Sequence, residues 1–298
     1  MSLQPISALK VLKPGLYCAI QDAGRFGYRH LGVPISGAAD RHSMIFANSA
    51  IHNPIQTPVL EIFGRGAELE VLHPITIMVA GANSILSIDG KKQDCTSPIN
   101  LQTGQTLKVE ELLLGFVTYI AVIGGWVIDP IMGSVSTLHN THLLPFKKND
   151  EIYINITNQE NKINYAKMAP IHIDIQKRIE VMPGPEWEIL TADSRNSLNT
   201  SDYQITKDSN RMGYRLSGIP LARSRNIEML TSAVCPGTIQ LLPDGQLILL
   251  MRDCQTTGGY PRILVVEESD LNQLAHRVPG DSVVFLLNTN SRSQLPLL

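Results

Sequence analysis

Arg25-Phe26-Gly27-Tyr28-Arg29-His30-Leu31-Gly32-Val33-Pro34 returns 186 residues later as Arg211-Met212-Gly213-Tyr214-Arg215-Leu216-Ser217-Gly218-Ile219-Pro220, with six identities in ten positions. Arg-x-Gly-Tyr-Arg is not generic turn chemistry, so we read the match as an internal repeat. The flanks keep the same order. Pro14-Gly15 and Pro183-Gly184 lie upstream, and Leu60-Glu61 followed by Gly66-Ala67-Glu68-Leu69 is echoed by Ile227-Glu228 followed by Gly237-Thr238-Ile239-Gln240. The chain therefore reads as two related domains in tandem, 1–165 and 166–298. The second copy begins near Ile171, and the polar stretch from Asn158 to Lys167 serves as the linker.

Around the repeat, short apolar runs alternate with Gly, Pro, Asn and Asp clusters, as at Ile75 to Ala80, Ile85 to Ile88, Val117 to Ile123 and Glu151 to Ile156. That spacing predicts many short antiparallel strands closing as barrels or sandwiches. Pro243-Asp244-Gly245-Gln246 reads as a hairpin turn between two of them. Helical periodicity is sparse. It is clearest over Ala39 to Ile51, with Asp40 as N-cap and His52-Asn53-Pro54 as the stop, and weaker over Glu186 to Leu190 with an extension to Ser197. The fold class is mainly β with a few short helices.

The chain has 298 residues, with 25 basic and 27 acidic side chains and a net charge of -2. No run of one sign offers the footprint that nucleic acid or an anionic membrane needs, which leaves a small molecule or a protein as partner. The start, MSLQPISALKVLKPG, lacks a signal peptide's basic stretch and apolar core, and the longest apolar runs, such as Leu247 to Met251, are strand-sized. A cytoplasmic location is expected, and with it reduced thiols at the scattered Cys18, Cys95, Cys235 and Cys254. The eight histidines never adopt H-E-x-x-H or comparable spacing, so no metal site is expected. P-loop and G-x-S-x-G patterns are absent too, which leaves Ser36 and Ser43 without the setting of a nucleophile.

The densest run of chemistry is Asp253-Cys254-Gln255-Thr256-Thr257-Gly258-Gly259-Tyr260-Pro261, directly after an apolar strand. Hydroxyls, amides and paired glycines at a strand end can present several donors to one small ligand. The same residues could form a structural turn, with Asp253 capping loop amides and the glycines at positive φ. Asp22 and Arg25, like Asp208 and Arg211, stand three apart, a spacing that suits either an ion pair holding a loop or an arginine binding an anion. Tyr28 and Tyr214 read as barrel-wall residues whose phenol tips could face a ligand.

Taken together, Pro14-Gly15, the segment from Gln21 to Arg29, Gly32 to Gly37 with Asp40, Gly124-Gly125, Gly133-Ser134-x-Ser136-Thr137, Arg211 to Leu216, Pro243 to Gln246 and Gln255 to Pro261 resemble one family. It is the C-type subunit of the bacterial ATP-dependent 5-oxoprolinase, also described as the second subunit of allophanate hydrolase, as the antagonist of a sporulation kinase inhibitor, and as the A half of the urea carboxylase carboxyltransferase domain. The resemblance implies cyclophilin-like β-barrels, partner subunits of the A and B types, and opening of 5-oxoproline to L-glutamate coupled to ATP hydrolysis, with ATP bound here or on a partner. Under it, Thr256, Thr257, Gly258 and Gly259 would be donors to the reacting centre, with Asp253 as base or orienter. Arg211, Tyr214, Arg215, Gln255, Tyr260, Gln21, Arg25 and Tyr28 would bind substrate.

The alternatives are carboxyl transfer from biotin held on another protein and a non-enzymatic antagonist of a histidine-kinase inhibitor. Covalent biotin on this chain is not expected, because Ala166-Lys167-Met168 lacks the Met before the lysine. Asn210 and Cys254 depart from the family pattern, which has Asp and Arg there.

Overall fold

The computed structural model describes residues 4–155, 171–225 and 229–288. The expected linker, the 165/166 boundary, Lys167 and the Ile227-Glu228 flank lie outside them. The chain groups into two units, one made of Met1–Arg25 with Ser36–Ile173 and the other of Phe26–Ile35 with Asp174–Leu298. The first copy of the repeated motif is thus divided after its leading arginine.

The first unit is a ten-stranded sheet. Its strands are β1 (Ile6–Lys13), β2 (Tyr17–Gln21), β3 (Val59–Phe63), β4 (Glu68–Val71), β5 (Ile75–Ile88), β6 (Lys91–Gln93), β7 (Ile99–Leu101), β8 (Thr106–Val122), β9 (Trp126–Val127) and β10 (Glu151–Ile154). The order is β2-β3-β8-β4-β1-β10-β9, with β5 pairing β6, β7 and β8. All five residues of β3 are buried, and Leu9, Leu60, Ile62, Leu69, Ile77 and Ile120 lie in the core.

Helix α1 (Arg41–Ala50) forms where its cap predicts: Asp40 is extended and its side chain accepts from Ser43 N–H. It stops where His52 takes φ 58° and Asn53 N–H turns back to Asn48 O at 2.9 Å.

The second unit is a closed barrel in the order β11-β18-β15-β16-β13-β12-β19. Its strands are β11 (Ile179–Pro183), β12 (Asp202–Ile205), β13 (Gly213–Ser217), β15 (Thr238–Leu241), β16 (Leu247–Leu250), β18 (Arg262–Val266) and β19 (Ser282–Leu287). A small ribbon pairs β14 (Ser232–Ala233) with β17 (Thr257–Gly258). Among the described strands β11 and β19 alone run parallel, and that pairing closes the barrel. The hairpin at Pro243 to Gln246 is present, with Leu242 N–H bonded to Gln246 O at 2.8 Å and Gly245 at φ 83°.

The weaker helical stretch is two pieces: a 3-10 turn at Trp187–Ile189, then α2 (Ala192–Leu198). Thr191 divides them, because it is extended and its side chain accepts from Ser194 N–H, starting a new helix. Helix α3 (Glu268–Leu274) completes the unit.

Candidate functional site

In the second unit the run from Asp253 to Pro261 leaves β16 and is held at four points. Arg211 grips Asp253 in bidentate fashion, Nε to Oδ2 at 2.7 Å and Nη2 to Oδ1 at 3.0 Å, and Asp253 N–H returns to Arg211 O at 2.9 Å. The two side chains are 11% and 20% exposed, so water competes little for this pair. The partner of Arg211 therefore lies 42 residues downstream. Both carboxylate oxygens of Asp253 accept from that guanidinium.

The second hold is Gln240, whose Nε2 donates to Tyr260 O at 3.2 Å. A Cβ built on Gly258 would stand 2.6 Å from that same nitrogen, whereas one on Gly259 meets nothing within 4 Å. Neither glycine is at positive φ. The expectation of a left-handed turn is thereby corrected: Gly258 is small because Gln240 lies against it.

The third hold is Arg262, which the sequence did not single out. Glu186 accepts from its N–H at 2.8 Å, its Nε at 2.9 Å and its Nη2 at 2.7 Å, while Nη1 reaches Ala233 O at 2.9 Å. Burial works against the charge of Glu186, but the hydrogen bonds from Arg262 outweigh it and hold the carboxyl below its ordinary value. Gly184 of the recurrent Pro-Gly fits here because a Cβ would fall 2.2 Å from Arg262 O.

The fourth hold is Arg29, also missed. Its guanidinium donates to Val234 O and, at 3.4 Å, to Thr256 O, which also accepts from Val234 N–H at 3.0 Å. The signal was present: Arg29 is the repeat counterpart of Arg215.

Held this way, the turn exposes Gln255, Thr257, Gly259 and Tyr260 and half-buries Thr256. Arg215 is exposed on β13, while its neighbour Tyr214 is 8% exposed and part of the barrel core. Tyr214 is thus a wall residue, as strand alternation dictates.

Both departures from the family pattern have a local account. Asn210 Oδ1 accepts from Met212 N–H at 2.8 Å, a bond that a carboxylate oxygen also makes. Cys254 is buried with Val234 and Leu250, and burial pushes its thiol up to about 12.

The first-unit residues serve a different purpose. Gln21 and Arg25 are both fully buried. Arg25 donates to the carbonyls of Ile131 at 2.9 Å, Ser134 at 3.3 Å and Ser136 at 2.8 Å. Asp22 accepts from Gly24 N–H, Ser134 Oγ, Val135 N–H and Ser136 Oγ, all within 2.6–2.8 Å. Gln21 Nε2 donates to Tyr17 Oη at 2.8 Å and Thr137 Oγ1 at 3.1 Å. Asp22 and Arg25 thus both clamp the 131–137 loop through its serines and carbonyls, a function that buries the arginine. Tyr28 is half-buried at the start of the 3-10 turn Arg29–Leu31 and belongs with the second unit.

Behind the clamp, buried Glu61 accepts from Ala39 N–H and Tyr119 Oη, each at 2.8 Å, and Tyr119 Oη accepts from Asp40 N–H at 2.7 Å. Burial first, and the Glu61 and Asp40 carboxylates next, hold the Tyr119 phenol well above its ordinary value, so it stays a donor.

Among the described residues, no group of three or more His, Cys, Asp or Glu is placed to hold a metal ion, and no helix is long and apolar enough to cross a membrane.

Comparison with known proteins adds kinship to this geometry. The chain is 31% identical over 283 residues to the C-type subunit of 5-oxoprolinase from Escherichia coli, covering 93% of this chain and 90% of that protein. It is 29% identical to the Haemophilus influenzae protein of the same name, and 28% identical to Saccharomyces cerevisiae urea amidolyase, of which it spans 16%. The solved structure of TTHA0988 superposes with a TM-score of 0.85 at 25% identity, covering 96% of this chain and 58% of that longer one. The K. lactis urea amidolyase has the same fold over 95% of this chain, with a TM-score of 0.85. With the model for the carboxyltransferase domain, subdomain A and B, matching residues 31–287, the chain belongs to that family, in which it stands beside the C-type subunits of 5-oxoprolinase.

Proposed function

We propose that the chain is the C-type subunit of an ATP-dependent 5-oxoprolinase, acting with A-type and B-type subunits to open 5-oxoproline to L-glutamate. The observation that carries this is the two-way coverage: the match runs through 93% of this chain and 90% of the Escherichia coli subunit, but through only 16% of the yeast amidolyase. A lactam is a stable amide, and phosphorylation of its oxygen by ATP makes the ring carbon a better electrophile. Arg211, Arg252 and Arg262 are each held by a carboxylate of this chain, which supports assigning ATP to a partner subunit.

This chain's share is stabilisation at the carbon that water attacks. The amide of Gly259 and the hydroxyls of Thr256 and Thr257 supply donors to the developing oxyanion, on a turn kept in place by Asp253–Arg211, Gln240, Arg262–Glu186 and Arg29, whereas the Gly258 amide is engaged by its pairing with Ser232 in the β14–β17 ribbon. Exposed Arg215, Gln255 and Tyr260 are the side chains available to a substrate carboxylate.

The test is ATP-dependent glutamate release from 5-oxoproline, with this chain alone and then mixed with its A-type and B-type partners. Activity in the mixture that falls at least tenfold in Asp253→Asn, with the complex still assembled, supports the reading. An assembled, folded complex without turnover refutes it and turns attention to carboxyl transfer, the chemistry that the family description names, with the biotin held on another protein.

A further inference from the structure

We propose, resting on the 5-oxoprolinase reading, that Ile248 is the floor on which the lactam ring lies, that Gly213 keeps this floor open, and that Arg215 beside it takes the substrate carboxylate. All three sit on the outer face of the barrel in the second unit. Register places Arg215 opposite Ile248, and Ile248 opposite Gln240. The alternating residues Tyr214, Leu216, Leu247 and Leu249 face inward and form the barrel core. Ile248 packs outside that core, against the small cluster of Val234, Leu250 and Cys254, and stays half-buried.

The row has the width of one small ring. The candidate turn is footed on Gln240, which bonds Tyr260 O and lies against Gly258. Neighbouring strands stand about 4.8 Å apart, so Ile248 is one strand from that footing and Arg215 two, about 10 Å away. In 5-oxoproline the carboxylate and the lactam carbonyl flank the ring nitrogen. A ring over Ile248 therefore turns its carbonyl toward the turn and its carboxylate toward the guanidinium. Gly213 has no positive φ to explain it. A Cβ there would stand 3.2 Å from Ile248 Cγ2 and 3.1 Å from Leu249 O. A strand glycine marks a place of close approach, and this one leaves that side of Ile248 uncovered.

The charges of this face leave one cation over. Arg211 is held by Asp253 and Arg262 by Glu186. The loop that leads into β13 carries Lys207 and Asp208, one of each sign, and both are exposed. Arg215 is exposed too, and its guanidinium makes no ion pair among the described residues. A free planar guanidinium beside an apolar floor is complementary to a carboxylate on a small carbon ring. A urea-derived acid shares the carboxylate but has no methylenes to lay on Ile248, so the floor selects the lactam over it.

The experiment has two arms, both on the complex assembled with its A-type and B-type partners. In the first, without ATP, methyl NMR at Ile248 follows titration with 5-oxoproline, with 2-pyrrolidinone, which lacks the carboxylate, and with oxamate, which has carboxylate and amide but no methylenes. 5-Oxoproline is expected to shift Ile248 and to bind about tenfold more tightly than either, and Arg215→Gln is expected to erase its advantage over 2-pyrrolidinone. In the second arm, steady-state kinetics should show KM raised about tenfold in Arg215→Gln and about fivefold in Ile248→Thr, with kcat unchanged in both. Arg215 is exposed, so its variant keeps the fold. Turnover with the parent KM in both variants overturns the proposal and leaves the 5-oxoprolinase reading standing. Binding at Ile248 that depends on Arg215, in a complex without turnover, supports the site and refutes that reading. Equal binding of 5-oxoproline and 2-pyrrolidinone, or no shift at Ile248, overturns the proposal whatever the turnover.

Discussion

Replacing Glu186 by glutamine removes one charge and leaves the shape nearly intact, so it isolates what the carboxylate does for the second unit. Glu186 accepts three N–H bonds from Arg262. A glutamine offers one acceptor oxygen and turns an NH₂ group toward a guanidinium. Hydrogen bonds to a charged group are worth about 1.5–3 kcal/mol each when one partner is lost. Because the side chains of Arg262 and Glu186 are 21% and 16% exposed, water recovers part of the loss, and the expected net cost at pH 7 is about 2–3 kcal/mol.

For a unit of this size that lowers the melting temperature by roughly 6–15 °C. The assay is urea unfolding followed by fluorescence of Trp187, buried in the second barrel next to Glu186, in a Trp126→Phe background that silences the first unit. The pH dependence follows from the direction of the shift. The folded carboxyl lies below its ordinary 4.5, so its stabilisation is complete above 4.5 and is lost as pH falls through the lower folded value. Variant and parent should therefore differ at pH 7 and converge in acid. Identical midpoints at pH 7, or a gap that persists undiminished at pH 3, would refute the role assigned to this pair.

Gly258→Ala should cut turnover of the assembled complex at least tenfold, because the new Cβ displaces Gln240 from Tyr260, while Gly259→Ala, which keeps its amide and meets no neighbour, should stay within about twofold. Arg25→Met strands three carbonyls of the 131–137 loop and should destabilise the first unit by about 3–5 kcal/mol, read by Trp126 fluorescence in denaturant. Of the four thiols, only exposed Cys235 should react quickly with a chromogenic disulfide in the native state. Burial holds Cys18 and Cys254 up to about 12 and, with the Asp94 charge, Cys95 to about 11. A second fast thiol would show that one of those packed environments opens.

Local chemistry made some features legible in the sequence. Asp40 three residues before Ser43 announced the start of α1, and Pro243 to Gln246 announced a hairpin, because caps and tight turns are decided by residues a few positions apart. Tyr214 was legible as a wall residue, whereas its separation from Arg215, on the opposite face of β13, comes from the strand itself. The partners of the charged groups were a different matter. Asp22 and Arg25 looked like each other's neighbours, yet both work on a loop more than a hundred residues away. Arg211 finds Asp253, and Arg262 finds Glu186, across closures of the barrel that no local pattern encodes. The exposed face of the candidate turn was legible as composition; what braces it was not.

Residues 26–35 are grouped with the second unit although the chain returns to the first at Ser36. Repeated halves invite the idea that either could be expressed, shuffled or fused as an independent module. Here a fragment beginning at Ile171 would be born without the 3-10 turn Arg29–Leu31 and without the guanidinium that Val234 and Thr256 share. A cut at Ile171 therefore removes one brace of the candidate turn. A gene split between the two copies would have to carry the ten-residue segment with the wrong half, so selection on the candidate turn acts on both ends of the chain at once.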